Sequence, residues 1–131
     1  MIRDISYEQF EKDIKNYQHE YRENCKIQKA IDLLSGKWTI HVLYELIKKD
    51  SIRFGELKKL IPSITNTMLA STLKELEKNN LINRIQYNEI PPHVEYLVTK
   101  DGKALLPVFF ELIKWSELYY SEIVKSKKEN I

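Results

Sequence analysis

Asn66, Thr67, Ser71 and Lys74 are the residues of this 131-residue chain whose types and spacing suggest the clearest chemistry. On a helix, positions 67, 71 and 74 fall on one stripe, a turn apart, and Asn66 opens the same helix beside them. Short polar side chains let a helix backbone approach another molecule closely. An amide offers a donor and an acceptor side by side, and an ammonium holds an anion. Together these are what a helix needs to read base edges and grip phosphates in a DNA major groove. The same residue types also clothe ordinary solvated helix faces, so the surrounding elements have to decide between the two.

Cys25 is the other reactive candidate. A single thiol closes no intramolecular disulfide and builds no thiolate zinc site, and His19, His41 and His93 lie too far apart for a local cluster, so no metal or other cofactor is expected. Cys25 precedes a helical pattern and is followed by Lys26. A helix N-terminus and a neighbouring ammonium both favour the thiolate that oxidants attack, which makes Cys25 a redox-sensing candidate against the alternative of a buried small hydrophobe. No convergent Ser/His/Asp, paired-carboxylate or Cys/His arrangement is present, and three glycines leave no glycine-rich phosphate cradle. An enzyme is not expected.

Composition frames these candidates. With 43% apolar, 31% charged and 11% aromatic residues, the chain can build one compact core and is not disordered in bulk. No apolar run is long enough to span a bilayer, and charges at Arg3 and Asp4 interrupt any signal-type stretch, so a cytoplasmic protein without a membrane partner is expected. The net charge of +2 says little about nucleic acid, but its distribution is uneven: residues 26–63 carry eight basic against four acidic side chains, whereas residues 1–25 carry four against six.

The hydrophobic spacing supplies the positioning elements. Tyr7, Phe10, Ile14, Tyr17 and Tyr21 repeat at steps of three and four and predict an amphipathic helix of about four turns. A second helix begins near Cys25 and stops at Ser35-Gly36, and a third runs from Trp38 or Thr39 to Lys48-Lys49. Ile52-Arg53-Phe54 reads as a short extended piece, followed by two helical turns over residues 56–61 that end at Pro62. Thr65 is placed to cap a helix reaching Asn79, with Met68, Leu69, Leu73 and Leu76 on one side and the candidate residues on the other. β-branched and aromatic residues from Leu81 to Tyr87 and from Val94 to Thr99, separated by Pro91-Pro92, predict a hairpin. From Thr99 a last helix carries apolar residues on two faces, with Leu105, Val108, Leu112, Trp115 and Tyr119 on one of them; Pro107 kinks it or marks its start.

The expected architecture is mainly α with a small β-hairpin. Short helix, proline-bounded turn, longer helix and hairpin form the order of a winged helix-turn-helix, with additional N- and C-terminal dimerisation helices. It is read as a single domain over 1–131: an N-terminal dimerisation helix (1–24), a DNA-binding core (25–99), a C-terminal dimerisation helix (100–124) and a polar tail (125–131). The stripes Tyr7, Phe10, Ile14, Tyr17, Tyr21 and Leu105, Val108, Leu112, Trp115, Tyr119 exceed what one small domain covers and are assigned to a dimer interface. DNA contact is expected for Arg53, Thr65, Asn66, Thr67, Ser71, Lys74, Arg84 and His93, with Lys58 and Lys59 undecided and Arg84 able to pair instead with Glu95.

Gly36-Lys37-Trp38, Arg53-Phe54-Gly55-Glu56-Leu57, Leu73-Lys74-Glu75-Leu76-Glu77 and Pro91-Pro92-His93-Val94-Glu95-Tyr96, in this order, give a chain that from Cys25 to Trp115 resembles the HxlR-type winged-helix transcriptional regulators of bacteria. The resemblance implies a homodimer on a two-fold, near-palindromic operator of double-stranded DNA, and some relatives sense oxidants through an N-terminal cysteine. Two positions depart from the pattern: Lys26 stands where proline is frequent, and Thr67 where many members carry a basic residue. The competing reading is a winged-helix protein-interaction module that binds no DNA.

Overall fold

The computed structural model describes residues 5–16 and 25–129. The chain divides into two compact units, residues 1–35 and 36–131.

The first unit holds α1 (Tyr7–Asn16) and α2 (Lys26–Leu34). The Ser6 hydroxyl accepts a hydrogen bond from the Gln9 backbone N–H at 3.1 Å and so caps α1. Tyr7, Phe10 and Ile14 form the expected stripe and are exposed, while Tyr17 and Tyr21 lie outside the described residues. Helix α2 starts directly after Cys25 and buries none of its residues; Ile27, Ile31 and Leu33 stand in solvent.

The second unit carries α3 (Thr39–Ile47), β1 (Ile52–Arg53), α4 (Phe54–Leu60), α5 (Asn66–Lys78), β2 (Ile82–Tyr87), β3 (His93–Val98), α6 (Lys100–Lys103) and α7 (Leu106–Glu129). Its core is aliphatic. Val42, Leu43 and Leu46 of α3 are buried together with Leu57, Ile61, Ile64 and the α5 residues Leu69, Leu73 and Leu76. The 3.6-residue period of α5 therefore has one side fixed in the core. Burying an aliphatic side chain of this size contributes about 1.5–3 kcal/mol, so turning α5 about its axis would forfeit several such terms together.

Two details exceed the expectation from sequence. The hairpin has a third strand: β1 pairs antiparallel with β3, giving the order β1-β3-β2, with Ile52 opposite Tyr96 and Arg53 opposite Glu95. Helix α4 begins at Phe54, two residues early, with the Glu56 carboxylate accepting from the Arg53 backbone N–H at 3.4 Å. The prolines act as expected. Pro62 follows the end of α4, and Pro107 is the second residue of α7, where a missing N–H leaves no intrahelical bond unmade. Helix α7 continues to Glu129 through the polar segment that composition alone would release.

The end of α5 is built with particular economy. Asn80 takes a left-handed conformation (φ 58°), its N–H donates to the Glu77 carbonyl at 3.0 Å, and the Leu81 N–H reaches back to the Leu76 carbonyl at 3.0 Å. These two bonds make a Schellman cap, which satisfies the last free carbonyls of the helix. Thr99 then ties the cap to the next helix. Its hydroxyl donates to the Asn80 carbonyl at 2.7 Å and accepts from the Gly102 N–H at 3.0 Å, while its own N–H donates to the Leu81 carbonyl at 3.0 Å. Gly102 is buried against this seam, where an added Cβ would overlap the Leu81 carbonyl oxygen and meet Val98 Cγ2 at 2.7 Å.

Candidate nucleic-acid interface

The Thr65 hydroxyl accepts from the Met68 N–H at 3.1 Å, which starts α5 sharply and fixes its first turn. With Leu69, Leu73 and Leu76 locked inward, Asn66, Thr67, Ser71 and Lys74 are all exposed. They border one shallow, open concavity of about 770 Å³ together with Phe54, Ala70 and Glu75. The sequence thus brings the four candidates onto one face. Among the described residues none of these four side chains makes a hydrogen bond or ion pair, so their polar atoms are available to a ligand.

Arg53 sits just before α4, with its backbone N–H held by Glu56 and its side chain exposed. Lys59 is exposed on α4. Lys58 reaches past the end of α4, its ammonium donating to the Pro62 carbonyl at 3.2 Å, which holds the turn that follows the helix.

The register separates the two wing candidates. Arg84 is opposite Tyr96, while His93 is opposite Tyr87, so Arg84 and His93 project from opposite faces of the sheet. Glu95 is opposite Ile85 and Arg53 and therefore shares His93's face. The alternative pairing of Arg84 with Glu95 does not form, because adjacent positions on paired strands point to opposite sides. The His93 ring stacks on Tyr87 with centroids 4.6 Å apart, and its nitrogens lie 3.5 Å from a Glu89 oxygen (Nδ1) and 3.6 Å from a Glu95 oxygen (Nε2). The negative charge of Glu95 beside Tyr87, and the hydrogen bond Glu95 accepts from its hydroxyl, push the Tyr87 phenol above its ordinary pKa, with burial and Glu89 adding to the shift. Sequence reasoning did not find this cluster. Alternation would have shown it once the register was known, but the turn through Pro91-Pro92 left the register open.

The remaining candidates lie elsewhere. Cys25 is the half-buried residue before α2, in extended conformation, with no capping bond from its side chain. On α7, Phe109 is buried and meets Tyr44 edge-on at 6.0 Å, and Leu105, in the turn just before this helix, is half-buried. Val108, Leu112, Trp115 and Tyr119 are exposed, with Trp115 stacked on Tyr119 at 4.9 Å. No helix among the described residues is long and apolar enough to cross a membrane.

Residues 33–124 match the family model described as HxlR-like helix-turn-helix. The chain belongs to the HxlR-like helix-turn-helix family. An uncharacterized HTH-type transcriptional regulator from Methanothermobacter thermautotrophicus is 43% identical over 97 residues, covering 74% of this chain and 73% of that protein. Among solved structures, the redox regulator HypR in its reduced form aligns with a TM-score of 0.70 at 32% identity, over 78% of this chain and 99% of that one. The reduced transcriptional regulator YodB from Bacillus subtilis aligns with a TM-score of 0.64 at 36% identity, over 71% of this chain and 91% of that one. This HxlR-like chain is a transcriptional regulator with a helix-turn-helix DNA-binding fold.

Proposed function

We propose that the protein binds a near-palindromic operator as a homodimer, with helix α5 of each copy entering successive major grooves about 34 Å apart. The observation that carries this reading is the exposed, unspent polar face of α5, whose opposite side is fixed in the core. Asn66, Thr67 and Ser71 contact base edges, Thr65 and Lys74 approach the backbone, and Arg53 meets the phosphates beside the first turn of α4. Arg84 reaches DNA from the wing, on the sheet face away from the Glu89 and Glu95 carboxylates. His93, lying between those carboxylates, makes a weaker contact.

Dimerisation follows from area. Val108, Trp115, Leu118 and Tyr119 on α7, and separately Tyr7 and Ile14 on α1, leave large apolar side chains in water, which supports an interface with a second copy. A second copy covers them. The similarity to HypR supports a thiol-redox response through Cys25, in which oxidation at the start of α2 alters dimer geometry.

Selection of duplexes from a random pool tests the main reading. An enriched inverted repeat, bound with a log–log salt slope of about 0.9 per phosphate contact and lost in Lys74→Glu, is the expected result. Retention of no duplex, with the protein captured only by other proteins, would replace this reading with the interaction-module alternative. For Cys25, operator binding is compared before and after mild oxidant in wild type and Cys25→Ser, and equal loss in both removes the thiol from the response.

A further inference from the structure

The exposed face of α5 also constrains which bases can lie against it. Thr67, Ser71 and Lys74 form the outermost stripe, and Asn66 and Ala70 form a second one alongside, one turn apart. Helix α5 contains no arginine. Guanine presents only acceptors, O6 and N7, to the major groove, and the forked guanidinium is the group that matches them best. Glu75 lines the same concavity. A carboxylate only accepts, so it opposes guanine's acceptor edge and any nearby phosphate, and it can pair only with the exocyclic amine of adenine or cytosine.

What the face does offer suits the other base pair. The methyl groups of Thr67 and Ala70 complement the thymine C5-methyl, and the Asn66 amide can donate to adenine N7 while accepting from N6. Lys74 lies eight residues beyond Asn66, about 12 Å along the helix axis, past the opening turns that reach base edges, and is left to a phosphate.

We propose that the operator half-site is A·T-rich where α5 touches it, with thymine methyls against Thr67 and Ala70 and an adenine on Asn66. This rests on the DNA-reading function proposed above and adds the base class it selects.

Atom-level changes in the DNA test the inference on wild-type protein. Each thymine of the selected half-site is replaced by uracil, which removes only the methyl group, and each adenine by 7-deazaadenine, which removes N7. Loss of a contacted methyl should weaken binding about fourfold. Loss of N7 opposite Asn66 should weaken it about tenfold, and the same changes in the spacer between half-sites should have no effect. In Asn66→Ala the 7-deaza penalty should vanish while the uracil penalty remains. Selected half-sites with guanine at the contacted positions, or binding indifferent to both analogues, would overturn this inference and leave DNA reading intact. Failure to select any duplex would overturn both.

Discussion

Replacing Thr99 by valine removes one hydroxyl at nearly constant volume and breaks two bonds, the donation to the Asn80 carbonyl at 2.7 Å and the acceptance from the Gly102 N–H at 3.0 Å. The second is a helix-capping bond, for which loss typically costs about 1 kcal/mol, and the first is an ordinary hydrogen bond, contributing about 0.5–1.5 kcal/mol. Thr99 is only half-buried, so water can replace part of what is lost. That places the sum near 1.5 kcal/mol rather than at its upper bound. Threonine and valine share β-branching, so the conformational term nearly cancels. Thr99→Ser keeps both bonds and should stay within about 0.5 kcal/mol of wild type. Equilibrium urea denaturation at one fixed protein concentration measures both variants, since association contributes to the apparent stability of an oligomer. If Thr99→Val unfolds at the wild-type midpoint, or Thr99→Ser falls as far as valine, the hydroxyl does not hold the seam and the reasoning fails.

Gly102→Ala should destabilise by about 1–3 kcal/mol in the same denaturation experiment, because the new methyl overlaps a backbone carbonyl that cannot swing aside. Asn80→Gly should raise stability by a few tenths of a kcal/mol to about 1 kcal/mol, since glycine takes the left-handed conformation at φ 58° without a Cβ penalty; a loss of stability would show that the Asn side chain contributes there. Tyr87 should titrate above about 10, measured as phenolate absorbance by difference against Tyr87→Phe, and Glu95→Gln should return it toward the ordinary value. Because the folded-state value is raised, the stability associated with Tyr87 is complete below the ordinary tyrosine value and is lost as pH rises through the folded one.

Much of this protein was legible in its residues because local rules and tertiary packing agree. Thr65 caps α5 as its position predicts, Leu69, Leu73 and Leu76 are buried as expected while Met68, read on the same side, is exposed at its edge, and the polar side faces out, since a period of 3.6 residues allows one arrangement once one face is apolar. The family signatures around Gly36-Lys37-Trp38 and Pro91-Pro92 named the architecture that the matched residues 33–124 share. The wing resisted in detail. Its partners depend on strand register, and a one-residue change in register would bring Arg84 and Glu95, which lie on opposite faces, onto the same one. The extended piece at Ile52-Arg53 was legible but its place in the sheet was not, because so short a segment shows its pairing with β3 only once the fold is formed. The seam at Thr99 was unreadable as well. Its two bonds join residues 19 apart and three apart through a single oxygen, and only the capping half has a sequence signature.

That seam has a mechanical consequence. From Asn80 the hydrogen bonds run without a gap through Thr99, Gly102 and Leu105 into Phe109, so the tail of α5 and the root of α7 move as one piece. Helix α7 has 24 residues and is about 36 Å long, which makes it a lever with its fulcrum beside the end of α5. Swinging its far tip by about 3 Å turns the root through only about 5°, so a coarse displacement at the distal end is geared down to a fine adjustment of α5.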